Sequence, residues 1–312
     1  MRKPKWGVVL GGLLLATACA GGSIGSTPDG TDRTHRESVA GTQLGEALRP
    51  YSHKRAMKHV RALAGGIGPR VRAKPAEWRA SRYIARKFRS YGYETKIQKF
   101  SVDGGTSRNV VAWWPEAVKY GMVVGGHMDT VRRSPGANDN ASGIAVLLEM
   151  ARISANRNPA RLVRFVAFGA EEYGTNGQHH NGSQVYANRL GKKGRKRLGG
   201  MASIDMIGNG RPLIAATTGM APQVVARTVF NKMRDKVAMS YRITCDCSDN
   251  GPFERGGIPA VFLWSGFEPN HHEPTDTVAN LEPKDVRRTG LGFRYLLERV
   301  DQDMIRRFRR AG

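Results

Sequence analysis

Cysteine is scarce in this chain of 312 residues: there are three, and only Cys245 and Cys247 lie beyond the N-terminal leader. A structural zinc site built on cysteine usually needs four ligands, so a Cys-x-Cys pair with no further cysteine makes a poor one. In an oxidising compartment the two could pair, although a bridge across a single residue is a tight ring, and free thiols remain the alternative. Acidic residues are also few, 26 against 50 Lys and Arg, which leaves a formal charge of +24. Such a surface favours anionic partners, here an envelope polymer or a membrane surface. No nucleic-acid module and no basic motif interleaved with aromatics accompanies the charge, so no specific nucleic-acid partner is expected, and a solvated basic face is the plainer reading. Internal repeats are absent.

Long apolar runs are missing too. The main one, Trp6 to Leu15, is too short to span a bilayer as a stable helix. It follows a basic head (Arg2, Lys3, Lys5) and precedes small residues, which is the layout of a secretory signal over residues 1–18. Ala16-Thr17-Ala18-Cys19 resembles a bacterial lipobox, with Cys19 as the lipidated residue, although Ala16 stands where Leu is usual. The chain is therefore expected to be exported, either anchored to the cell envelope through Cys19 or released as a secreted or periplasmic protein. Residues 19–43, rich in Gly, Ser, Thr and Asp, read as a flexible tether. Residues 44–312 read as one domain, with 40% hydrophobic residues in the chain to supply a core.

What is present in that domain alternates between strand and helix. Glu94–Val102 and Ser107–Trp114 read as a hairpin around Gly104-Gly105. Short buried strands are expected at Met122–Gly125, Arg161–Phe168, Gly199–Ile204, Leu213–Ala216, Ala238–Ile243 and Ala260–Trp264. Amphipathic helices are expected at 78–91, 221–236 and 285–300. In the first of these, Trp78, Tyr83, Ile84 and Phe88 form the apolar face. The fold class is α/β, a three-layer α/β/α sandwich on a mixed, mostly parallel sheet. The polar run Gln178-His179-His180-Asn181 reads as an exposed loop.

Four expected strand ends carry metal-capable side chains: His127 with Asp129, Glu171 with Glu172, Asp205, and His272 with Asp276; Asp139 follows the first in a Gly/Asn-rich loop. One acid at a strand end is ordinary and is commonly a helix cap. Four such ends in one chain are not, because carboxylates are costly to bury together without a cation. The inventory suits two divalent ions, each with one imidazole and one terminal carboxylate, sharing a bridging carboxylate. That N/O donor set suits zinc. Of the paired glutamates one would bind metal and the other would take a proton from water.

The ordered pieces Gly68-Pro69-Arg70, Ser107-Arg108-Asn109-Val110, Gly126-His127-Met128-Asp129, Asn138-Asp139-Asn140-Ala141-Ser142-Gly143, Phe168-Gly169-Ala170-Glu171-Glu172, Ile204-Asp205-Met206, Ser248-Asp249 and His272-Glu273-Pro274 resemble the secreted bacterial zinc aminopeptidases of peptidase family M28. The resemblance implies a di-zinc exopeptidase that removes N-terminal residues from peptides with a free amino terminus. Asp139 would bridge the ions. His127 and Asp205 would complete one site, and Glu172 and His272 the other. Glu171 would be the general base, and Asp129 would steady the His127 ring. Asn250 and His271 stand where the family often has His and Tyr, and the Tyr is expected to stabilise the oxyanion. Two other readings remain at this point: a glutaminyl cyclase of the same fold with one zinc, and a non-catalytic protein that binds through its basic surface.

Overall fold

A computed structural model describes residues 50–175 and 177–312. The expectations for the leader, Cys19 and the tether fall outside these residues. The first elements are α1 (His53–Val60), which runs on into wider helical turns over Arg61–Ile67, and α2 (Pro75–Ser90). A hairpin follows, β1 (Glu94–Val102) and β2 (Gly105–Trp113). Its register pairs Val102 with Gly105. The two turn residues, Asp103 and Gly104, have φ of 49° and 68°, the left-handed pair that suits a tight right-twisted hairpin.

Then come β3 (Met122–His127), a helical turn at Ala137–Ser142, α3 (Gly143–Ser154), α4 (Asn158–Leu162) and β4 (Val163–Phe168). The expected strand at Arg161 therefore begins two residues later, because Pro159 opens a helical turn ahead of it. Two helices, α5 (Asn181–Arg189) and α6 (Gly191–Arg197), occupy a stretch whose glycines, asparagines and clustered cations gave no helical periodicity. The rest is β5 (Gly200–Ile204), β6 (Leu213–Thr217), α7 (Val224–Met233), β7 (Met239–Ile243), α8 (Asn250–Arg255), β8 (Ala260–Trp264), α9 (Pro283–Leu297) and α10 (Gln302–Ala311).

The eight strands form one mixed sheet in the order β1-β2-β4-β3-β5-β8-β6-β7. Its centre, β4-β3-β5-β8, is parallel throughout, and antiparallel pairs occur at β1-β2, β2-β4 and β6-β8. Central strands are buried on both faces, and successive side chains alternate between two cores. Val124, Phe165, Ala202 and Val261 enter the larger one, beneath α1, α2, α3, α7 and α9. Val123, Val166, Met201 and Ala260 enter the smaller one, with Tyr186 of α5 and Phe253 of α8. All twelve residues of α3 are buried. On α2, Ile84 and Phe88 face the core as expected, but Trp78 is 39% exposed. Its ring lies under the Arg108 guanidinium at 4.2 Å, and its indole N–H donates to the Thr106 carbonyl. A cation and a carbonyl from β2 thus hold it at the surface.

Candidate metal centre

The four parallel central strands end at one edge of the sheet, and each delivers part of the same cluster. His127 is the last residue of β3. Glu171 and Glu172 follow β4, Asp205 follows β5, and the loop after β8 carries His271 and His272. Asp139, in the turn before α3, lies between them. This is where open α/β sheets bind ligands.

The sequence around Asp139 explains how that residue is aimed. Asn138 accepts the Gly208 N–H through Oδ1 at 2.8 Å. Asn140 donates to the Ile204 carbonyl at 2.9 Å and accepts the Gly143 N–H. Ser142 donates to the Asn138 carbonyl and accepts the Ile207 N–H. Every polar residue flanking Asp139 therefore ties its turn to the β5 end that carries Asp205. Gly126 and Gly143 permit the approach: a Cβ on either would strike the Ile204 carbonyl. From the other side Asp276 accepts the N–H groups of Asn138 and Asp139, at 2.7 and 3.0 Å. The Asp276 carboxylate thus acts on the Asp139 turn.

Two buried arginines hold the remaining loops. Arg70, fully buried, donates to the carbonyls of Met128, Pro135 and Gly136. Arg72 donates to the carbonyls of Glu172 and Gln178 and to the Asn181 side chain, and pairs with Asp103. A guanidinium has five donors in a fixed fork, which suits gathering carbonyls that would otherwise be buried unpaired. Asp129 is fully buried, and its two oxygens accept the N–H groups of Glu171 and Glu172 at 3.0 and 3.2 Å. His127 Nδ1 lies 3.2 Å from the Asp129 carbonyl and 3.8 Å from its carboxylate. Asp129 therefore fixes the backbone of both glutamates as well as flanking the ring.

The converging side chains form two halves about Asp139. His127 Nε2 is 3.0 Å from Asp139 Oδ1 and 3.2 Å from Asp205 Oδ1. His272 Nε2 is 3.3 Å from Asp139 Oδ2 and 2.9 Å from Glu172 Oε2. His271 Nε2 also reaches Asp139 Oδ2, at 3.4 Å, and its ring stacks on His272. Ser248 donates to Asp205 Oδ2 at 2.9 Å. Asn250 turns away from the cluster, its amide donating to Glu254.

The electrostatics are those of carboxylates without enough positive charge. Burial, with Asp139 adding to it, pushes Glu172 up to about 7. Burial also raises Glu171 well above the usual range, against the His127 ring and with help from Glu172. Burial would lower His272, but its hydrogen bonds to Asp139 and Glu172 raise it to about 10. Glu172 Oε1 is buried with no hydrogen-bond partner. Three overlapping sets of donor atoms could each hold an ion: His127, Asp139 and Asp205; Asp139, His271 and His272; and His127, Glu171 and Glu172. An orphaned buried oxygen among crowded carboxylates and imidazoles is the chemistry a divalent cation satisfies.

One residue at the site escapes the sequence reading. His180, expected in an exposed loop, is 2% exposed, and its Nε2 lies 2.9 Å from Glu171 Oε1. The His180 and Asn181 N–H groups return to the Glu171 and Ala170 carbonyls just past β4, which no local pattern signals; the adjacent histidines were the one visible oddity.

A family model, Peptidase family M28, matches residues 109–297. The chain is 31% identical to the aminopeptidase YwaD of Bacillus subtilis over 59% of this chain and 43% of that one. It is 26% identical to the probable lipoprotein aminopeptidase LpqL of Mycobacterium tuberculosis over 78% of this chain and 55% of the other. The chain spans about half the length of the curated relatives it matches. The solved structure of BSAP, a zinc aminopeptidase from Bacillus subtilis, superposes with a TM-score of 0.72 at 20% identity, covering 81% of this chain and 96% of that one. That likeness shows the fold, and the family model, which takes in more than half of the residues, shows the kinship: the chain belongs to peptidase family M28.

Proposed function

We propose that the chain is a di-zinc aminopeptidase. One observation carries the reading: the two oxygens of Asp139 face two separate imidazoles, His127 and His272, each with its own carboxylate, Asp205 or Glu172. In this reading Asp139 would be shared by two ions, with His127 and Asp205 holding one and Glu172 and His272 the other. Bound zinc supplies Lewis acidity, which makes water acidic near neutral pH and polarises a carbonyl. Glu171, whose Oε2 lies on the side of His127, would take the proton of the attacking water and return it to the leaving amine. His271 faces the same cavity and can donate a hydrogen bond toward the reacting carbonyl, the place the family often gives to Tyr.

The cavity over the cluster measures about 170 Å³, room for one side chain rather than a threaded strand. Carboxylates form its floor, which suits a cationic amino terminus. Phe262, Trp264, Phe267 and Tyr173 form its walls, which suits a bulky apolar first residue. Digestion of a peptide library with zinc supplied, read by mass spectrometry, tests the reading. Residues should leave singly from the amino end, apolar ones fastest. Internal cleavage, or cyclisation of N-terminal Gln without hydrolysis, would contradict it.

Residues 44–312 would form the single catalytic domain, exported by residues 1–18 and held by a lipid on Cys19 through the 19–43 tether. The relative named a probable lipoprotein aminopeptidase supports that arrangement. No helix among the described residues is long and apolar enough to cross a membrane. In a bacterial host the full chain should sediment with membranes and Cys19→Ala should not; equal partitioning of the two would contradict the anchor.

A further inference from the structure

We infer that His180 is a positioning residue for Glu171, holding one carboxyl oxygen so that the other faces the reaction. This inference rests on the proposed role of Glu171 as general base. His180 Nε2 lies 2.9 Å from Glu171 Oε1, while Glu171 Oε2 lies on the metal-centre side, 3.9 Å from His127 Nε2. A carboxylate that takes a proton from water through one oxygen gains precision when its second oxygen is held, because misplacement of a proton acceptor by a fraction of an ångström lowers the rate steeply.

The support for His180 is built from several directions. Its backbone N–H donates to the Glu171 carbonyl at 2.7 Å, so backbone and side chain both clasp the same glutamate. Its carbonyl caps the start of α5, accepting from Gln184 N and Ser183 Oγ. The next residue, Asn181, returns an N–H to the Ala170 carbonyl. His180 adopts a left-handed backbone, φ 55°, which turns the ring inward at the head of the helix. Behind the ring, Nδ1 faces Asp246 Oδ1 at 3.7 Å without a hydrogen bond, and Asp246 is paired with Arg255. Asp246 sits between Cys245 and Cys247, which are bonded to each other. The disulfide therefore closes the loop that lies behind the imidazole, and the contact that holds Glu171 is the one from His180 Nε2.

Two substitutions separate positioning from bulk structure. His180→Asn keeps a residue that tolerates the left-handed backbone, but its amide is too short to reach the Nε2 position. His180→Gln places an N–H donor near that position. Both are assayed as zinc-loaded full chains with leucine para-nitroanilide, alongside metal content. Expected results are a fall in kcat of about 10–100-fold for His180→Asn, KM within about twofold, two ions per chain retained, and recovery of most of the activity in His180→Gln. Full kcat in His180→Asn overturns the inference. So does equal loss in both variants, or loss of metal from either, since each would mark a role other than donation to Glu171. A wild-type chain that binds two ions yet hydrolyses nothing would instead sink the aminopeptidase reading itself.

Discussion

Asp276 lies far along the chain from Asp139, yet its carboxylate takes two successive backbone N–H groups there and so fixes the backbone that carries the Asp139 side chain. Asp276→Ala leaves those donors unpaired in a buried turn. It should weaken zinc binding about 10–100-fold while leaving all five proposed ligands in place; chelator competition measures it, and unchanged affinity would contradict the role. Residue-scale electrostatics also reaches away from the site. His59 is buried between Tyr83 and Tyr91, its Nδ1 2.6 Å from the Tyr83 hydroxyl. Burial, with Lys87 and Arg152 nearby, lowers its pKa from 6.5 to about 3. The folded imidazole stays neutral while the unfolded one gains a proton below 6.5, so stability falls as pH drops through that window, by about 1.4 kcal/mol per pH unit at most. Urea titrations from pH 7 to pH 5 should show this slope in the wild type and lose that part of it in His59→Gln. The residues that converge on Asp139 were legible as acids and histidines that follow the expected strands β3, β4, β5 and β8 in the chain. His180 was not, because only the folded-back segment brings it to Glu171.

At the scale of elements, the turn at Ala137–Ser142 and the end of β5 form one unit. Asn138, Asn140 and Ser142 cross-link them, and Gly126 and Gly143 leave the space. Gly126→Ala puts a Cβ 2.5 Å from the Ile204 carbonyl, so β3 and β5 must move apart. The cost should be about 1–3 kcal/mol of stability, read by denaturation, together with weaker zinc retention because His127 is the next residue. An alanine variant as stable and as metal-loaded as the wild type would contradict the close packing. The central strands were legible as short apolar runs ending in glycine or acid. Helices α5 and α6 were not, since Gly182 and Gly194 are there for close packing against Gly169 and Leu190 rather than for helix propensity, which opposes them. Trp78 was misplaced because an aromatic at a core position can equally cap a surface through a cation.

For the whole molecule, acids gather at one end of the parallel strands in a chain of formal charge +24. The parallel centre β4-β3-β5-β8 was implicit in the alternation of strand and helix. The antiparallel insertion of β6 beside β8 was not, because the link between them carries no signature of its direction. In the proposed arrangement Asp139 joins two halves that reach it from β3 and β5 on one side and from the β4 and β8 loops on the other. The most direct measurement is therefore the number of zinc ions retained after dialysis, by elemental analysis, in the wild type, Asp139→Asn and His127→Ala. The expected result is two ions in the wild type, weakened retention at both sites with loss of hydrolysis in Asp139→Asn, and one retained ion in His127→Ala. Two tightly held ions and full activity in Asp139→Asn would contradict the account.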